Sequence, residues 1–116
     1  MILHITSRAE WDAAQTHGEY SAPSLQTEGF IHCSTEDQVL YVANAFYRGR
    51  NDLLLLNINP ALLTPDLKWE PPAGKPAPGI SDSDQFPHIF GPINLSAVTA
   101  VLEFMPGTDG EFHSLP

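Results

Sequence analysis

Apolar and polar residues alternate from the start of the chain, with Ile2, His4 and Thr6 on one side and Leu3 and Ile5 on the other. This is the period-two pattern of a strand. Ser7-Arg-Ala-Glu10 then has the spacing of a capping box, in which a hydroxyl and a carboxylate satisfy free amides at a helix start. A short helix is predicted to about Thr16, closed by Gly18, with Trp11, Ala14 and Ala13 along its core-facing stripe. Residues 19–28 are polar and contain Pro23, which predicts a loop or short turn. A second strand is predicted over 29–34, placing Phe30, His32 and Ser34 on one face and Ile31 and Cys33 on the other. Thr35 to Gln38 repeats the capping pattern and opens a helix to about Arg48, where Val39, Val42, Ala43, Phe46 and Tyr47 recur at helical spacing before Gly49. The apolar run Leu53-Leu-Leu-Leu-Asn-Ile58 suits a strand at the centre of a sheet, ended by Pro60.

Beyond that point the pattern breaks. Pro60, Pro65, Pro71, Pro72, Pro76 and Pro78, with Gly74 and Gly79, punctuate residues 60–85. One short strand is predicted at 67–70, within an irregular surface segment long enough to serve as a lid. Apolar character returns at 86–91, and 97–104 alternates as a last strand with Val98, Ala100, Leu102 and Phe104 on one side. Gly, Asp and Pro residues after Met105 predict a frayed tail over 106–116. The element order predicts a single α+β domain over 1–116, a small mixed split β-sheet with two helices.

Composition narrows the range of functions. Fourteen acidic and five basic residues give a net charge of -9, and no Lys or Arg follows Lys75. Gripping a phosphate backbone requires clustered Lys and Arg, so nucleic-acid partners are disfavoured, and a polybasic membrane anchor is absent. The longest aliphatic run, 53–56, is far short of the ~20 residues of a membrane span. With no charged, apolar leader at Met1, the sequence predicts a cytoplasmic protein. The lone Cys33 forms no internal disulfide, in keeping with a reducing compartment.

The residues suited to chemistry are histidines. His4 with Thr6 and His32 with Ser34 each share a strand face, so adjacent strands would present both imidazoles to one cleft. His88 sits in Phe86-Pro-His-Ile-Phe-Gly-Pro92, a rigid apolar setting around one polar side chain. A strand histidine is more often a hydrogen-bonded packing residue, and its pairing with a hydroxyl shifts that balance. Three imidazoles with an open position would also suit zinc, but no pair here has short ligand spacing, and no metal ligand is assigned. Cys33 alternates toward the core, where a thiol behaves as a small hydrophobe. Among Glu28, Glu70, Asp82 and Asp84, Glu70 is the best placed, following Leu67-Lys-Trp69 and preceding two prolines. Phosphate-binding loops, nucleophile elbows and Cys-x-x-Cys motifs are missing.

His4-Ile, Ser24-Leu-Gln-Thr-Glu-Gly-Phe-Ile-His-Cys-Ser34, Asn44-Ala-Phe-Tyr47, Leu53-Leu-Leu-Leu-Asn-Ile58 and Phe86-Pro-His-Ile-Phe-Gly-Pro92 closely resemble the bacterial family called domain of unknown function 952. That family in turn resembles a compact ADP-ribosyltransferase-like fold, distantly related to RNA 2'-phosphotransferases that consume NAD. The resemblance implies a transferase-like enzyme acting on NAD or a related nucleotide, with His4, His32 and His88 as catalytic residues. Thr6, Phe30, Ser34, Glu70 and Phe90 are the implied ligand contacts, with a ring stacked on Phe30 or Phe90 and Ser34 bonding a ribose or amide. NAD would be a substrate rather than a resident cofactor, and the partner a small nucleotide-like molecule. Only Arg8, Arg48 and Arg50 are available, whereas phosphate-handling relatives use several arginines, so RNA phosphate transfer is disfavoured. A non-catalytic nucleotide-binding module and a three-histidine metal hydrolase are the alternatives.

Overall fold

The computed structural model describes residues 1–116. Strand β1 (Ile2–Ser7) leads directly into helix α1 (Arg8–His17). Ser7 Oγ accepts the Glu10 amide at 3.1 Å and donates to the Glu10 carboxylate at 3.0 Å, and Gly18 ends the helix at φ 83°. Helix α1 buries Trp11 and Ala14, while Ala13, placed in the stripe by sequence, is exposed.

The stretch 19–28, expected as loop, holds a two-residue strand β2 (Glu19–Tyr20) and one helical turn α2 (Ser24–Thr27). The second predicted strand contracts to β3 (Ile31–His32). Its chain changes partners: Ile31 and His32 pair with one sheet, and Ser34 then bridges to Leu3 of another. Helix α3 (Glu36–Phe46) has the expected capping box at Thr35 and Gln38 and ends before Arg48.

Strand β4 (Leu53–Ile58) lies between β1 and the last strand. Its unbroken apolar character follows from having a core on each face. Leu54, Leu56 and Ile58 join Ile2, Trp11, Tyr20 and Ile31 on one side. Leu53 and Leu55 join Leu3, Ile5, Val39, Ala43 and Phe104 on the other.

Within the proline-rich stretch, a 3-10 turn (Pro60–Leu62) precedes β5 (Leu67–Glu70), the strand predicted there. Residues 71–85 lie against α3, where Gln38 Nε2 donates to the Gln85 carbonyl at 2.8 Å. Gly79, at φ 93°, is pressed so close to Tyr41 that a Cβ would fall 2.5 Å from its ring. β6 (Phe86–Ile89), the short β7 (Ile93–Asn94) and β8 (Val98–Phe104) complete the fold.

Three sheets result, ordered β1-β4-β8, β2-β7 and β3-β6-β5. Every pairing is antiparallel, which corrects the mixed sheet expected from the βαβα order. Right-handed crossovers would have set β4 parallel to β1; β4 instead runs antiparallel beside it, and the helices carry the chain between separate sheets on the way. Strand β8 is an outer strand, and of the residues on its apolar side Phe104 is buried while Leu102 is exposed. No helix is long and apolar enough to cross a membrane.

After Met105 the chain has no regular element, yet Phe112 is buried with its ring 4.6 Å from Phe104. Asn44 brackets it, donating to the Phe112 carbonyl at 2.9 Å and accepting its amide at 2.7 Å. Phe112→Ala should cost about 3–5 kcal/mol in urea denaturation, as for other large aromatic truncations in cores. A loss below about 1 kcal/mol would show that the tail adds little to the core.

Candidate functional site

The sheets meet at a seam. Leu3 and Ser34 exchange two backbone hydrogen bonds of 2.8 Å, holding β1 beside the end of β3. Next to this bridge, His4 Nδ1 donates to the His32 carbonyl. A carbonyl only accepts, so that bond fixes the proton on Nδ1 and leaves Nε2 as the acceptor in the neutral ring. The Tyr20 hydroxyl lies 2.8 Å from Nε2 and 2.9 Å from Thr6 Oγ1. Burial raises the Tyr20 pKa, keeping its proton on the oxygen. Burial also lowers His4 from 6.5 to about 4, outweighing the upward pull of the His32 carbonyl. The imidazole is therefore neutral near pH 7, with a protein partner at each nitrogen.

A second histidine group faces the other sheet. His32 and His88 are register partners across β3 and β6, with rings 5.7 Å apart at 77°. His32 is exposed and its Nε2 lies 2.8 Å from Glu28, one helical turn's length upstream in sequence. His88 is buried, its Nδ1 2.8 Å from the half-buried Glu70. Each imidazole thus has its own carboxylate. Phe30 stacks on His88 at 4.1 Å and meets His32 edge-on at 4.9 Å. Phe90 lies 5.5 Å from Phe30, with the Lys68 ammonium 4.9 Å above its ring.

Two adjoining clefts open at the seam. The larger, about 560 Å³, is lined by His4, Glu10, Tyr20, Glu28, His32 and Ser34, with Phe46, Tyr47 and Arg50 also on its wall. The smaller, about 80 Å³, is lined by His32, Cys33, Ser34, Phe86 and His88, and by Pro72, Lys75 and Pro76 of the proline-rich stretch. His32, Ser34, Val42, Phe46 and Ala73 are common to both.

The expectation of one cleft holding three histidines is thus modified. His32 links His4 in the larger cleft to His88 in the smaller. Thr6 lies behind Tyr20, Glu70 behind His88, and Phe30 and Phe90 beside the histidine pair, so none of the four lines a cleft wall. The three imidazoles do not gather as a metal-ligand set. The group whose ligand atoms approach within 4.8 Å is Asp109, Glu111 and His113, on the exposed tail. Cys33 is buried, and desolvation pushes its thiol pKa up, consistent with a core thiol.

Two contributors were not legible in the sequence. Tyr20 stands in a polar stretch, marked only by being its one aromatic, and Phe46 fits the core stripe of its helix. Phe46 is in fact 65% exposed and walls both clefts.

The arrangement defines a small α+β protein whose split antiparallel sheets meet at a histidine-lined cleft. The chain belongs to the family described as Protein of unknown function (DUF952), which matches residues 5–101. It is similar to CC0527 from Caulobacter crescentus, whose crystal structure superposes with a TM-score of 0.82 at 34% identity, covering 97% of this chain and 92% of that one. The solution NMR structure of CC0527 gives a TM-score of 0.77 at the same 34% identity, with 97% and 90% covered. No curated protein matches the chain.

The His4 environment has a pH consequence. Between about pH 4 and 6.5 the unfolded chain binds a proton that the folded chain refuses, so stability rises with pH across that window. The contribution is complete above 6.5 and lost as pH falls toward 4, amounting to about 3 kcal/mol. Urea titrations at pH 7.5 and 4.5 should show His4→Gln lacking this part of the wild-type slope. Equal slopes would mean His4 is not held neutral.

Proposed function

We propose that this protein is a cytosolic enzyme of the ADP-ribosyltransferase-like class, acting on NAD or a related nucleotide in the larger cleft. The observation that carries this reading is the cleft itself. Its volume, about 560 Å³, falls within the ~300–1,000 Å³ usual for small-molecule sites. His32 and Ser34 stand on its wall beside exposed Phe46, which offers a face for a ring.

Charge favours the base and ribose end of such a ligand. Glu10 and Glu28 line the cleft, whereas its one arginine, Arg50, is held by Asp52 at 2.8 Å. Carboxylates accept hydrogen bonds from ribose hydroxyls and favour a cationic nicotinamide, but offer nothing to a polyphosphate. This argues for a small ligand over RNA. His32, oriented by Glu28, is the candidate group that positions the ribose here, while His4 braces the wall.

A second reading, a nucleotide-binding module without turnover, is favoured by one observation. His4 is tied at both nitrogens, which withdraws one of the three histidines from proton transfer. Thermal melting with NAD and ADP-ribose, paired with chromatographic assay of nicotinamide release, separates the two. The enzyme reading expects a melting shift with release, and release reduced about 100-fold in His32→Ala through lost positioning of the ligand. A shift without release supports the binding module, and the absence of both rejects a nucleotide ligand.

A further inference from the structure

We propose that the smaller cleft is the acceptor subsite of the same reaction and that His88, positioned by Glu70, is its general base. This rests on the nucleotide reading of the larger cleft. The two spaces share the wall formed by His32, Ser34, Val42 and Phe46, and the proposed arrangement sets the reacting carbon of a ligand in the larger one at this shared wall. A cleft of about 80 Å³ holds several waters, each needing ~10–15 Å³ on the same measure, or a small compound. Water or a small alcohol fits this space as the acceptor.

The geometry of His88 fits this task. Glu70 accepts its Nδ1 proton at 2.8 Å, which leaves the Nε2 lone pair free in the neutral ring. Nε2 has no protein partner and is not sealed in, since the one fully enclosed side-chain atom without a partner is Asn57 Oδ1. His88 lines the smaller cleft. Stacking by Phe30 fixes the ring plane, and the cross-strand partner Lys68, with His32, Lys75 and the buried Cys33 thiol of the same cleft, are the other charged or titratable groups around it. In the proposed step, the acceptor oxygen forms a bond to the ribosyl C1' and its proton passes to His88 Nε2. The C1'–N bond to the base breaks, its electron pair leaving with neutral nicotinamide, and His88 later returns the proton to solvent. With water as acceptor the products are ADP-ribose, nicotinamide and one proton.

The step is tested with NAD as substrate, following nicotinamide release from pH 5.5 to 8.5 and, in parallel, the NAD-induced melting shift. His88→Gln should lose about 10²- to 10⁴-fold in kcat and keep the shift. Because His88 is buried against Phe30, Glu70→Gln provides an independent variant at a half-exposed position. As a positioning change it should lower kcat and displace the acid limb of the pH profile with KM little altered, an effect that lost packing alone does not produce. Added methanol should divert product to a methyl riboside. Folded variants that turn over at the wild-type rate with an unmoved pH profile overturn the role of His88 while leaving the nucleotide reading intact. A wild-type protein that neither binds nor cleaves NAD overturns both.

Discussion

The two hydrogen bonds between Leu3 and Ser34, reinforced by the His4 imidazole on the His32 carbonyl, hold the molecule's two three-stranded sheets in register with each other. Without this seam the sheet carrying β1 and the sheet carrying β3 would have no shared backbone reference, and the clefts flanking it would have no fixed walls. A side chain here performs a task usually left to backbone. His4 connects its own strand to the neighbouring one and, through Tyr20, to β2. Burial of a neutral imidazole is tolerable because both nitrogens are paired, which avoids the cost of an unsatisfied polar group in the core. The same saturation makes the first-strand histidine a brace, whereas His32 and His88 each have a carboxylate partner at one nitrogen.

Charge distribution reinforces this division. Arg8 pairs with Glu103, Arg48 with Glu111 and Arg50 with Asp52, all at exposed positions. Such pairs contribute little to stability, but they commit every arginine of the chain to a carboxylate. The arginines therefore form no unpaired basic patch, and each histidine of the pair has a carboxylate beside it, Glu28 for His32 and Glu70 for His88.

Much of this arrangement is legible in local sequence. The capping residues Ser7 and Thr35 place both longer helices, and the unbroken leucines of β4 reveal a strand covered on both faces. Alternation separates Phe30 and His32 from Ile31 and Cys33, which the structure places in the core. What is not legible depends on partners distant in sequence. Strands β2 and β7 are two residues each and exist by pairing with one another across more than seventy residues, so neither carries a periodic signal. Tyr20 becomes a site residue only through that pairing. The division into two clefts likewise depends on where residues 72–77 settle against His88, which proline content alone does not specify. The family match is visible in the motifs, whereas the antiparallel sense of every strand pair is not.

The seam also imposes an order of events on folding. β1 must find β4 some fifty residues downstream, and β3 must find β6 at a comparable separation, while α1 and α3 form from neighbouring residues. Contacts closed over such distances are slow because loop entropy is lost before the pairing compensates it. During synthesis the strand bearing His4 emerges well before its β4 partner exists, so its alternating apolar residues must wait exposed or loosely collapsed onto the first helix. The candidate site is complete only when these distant strands have paired.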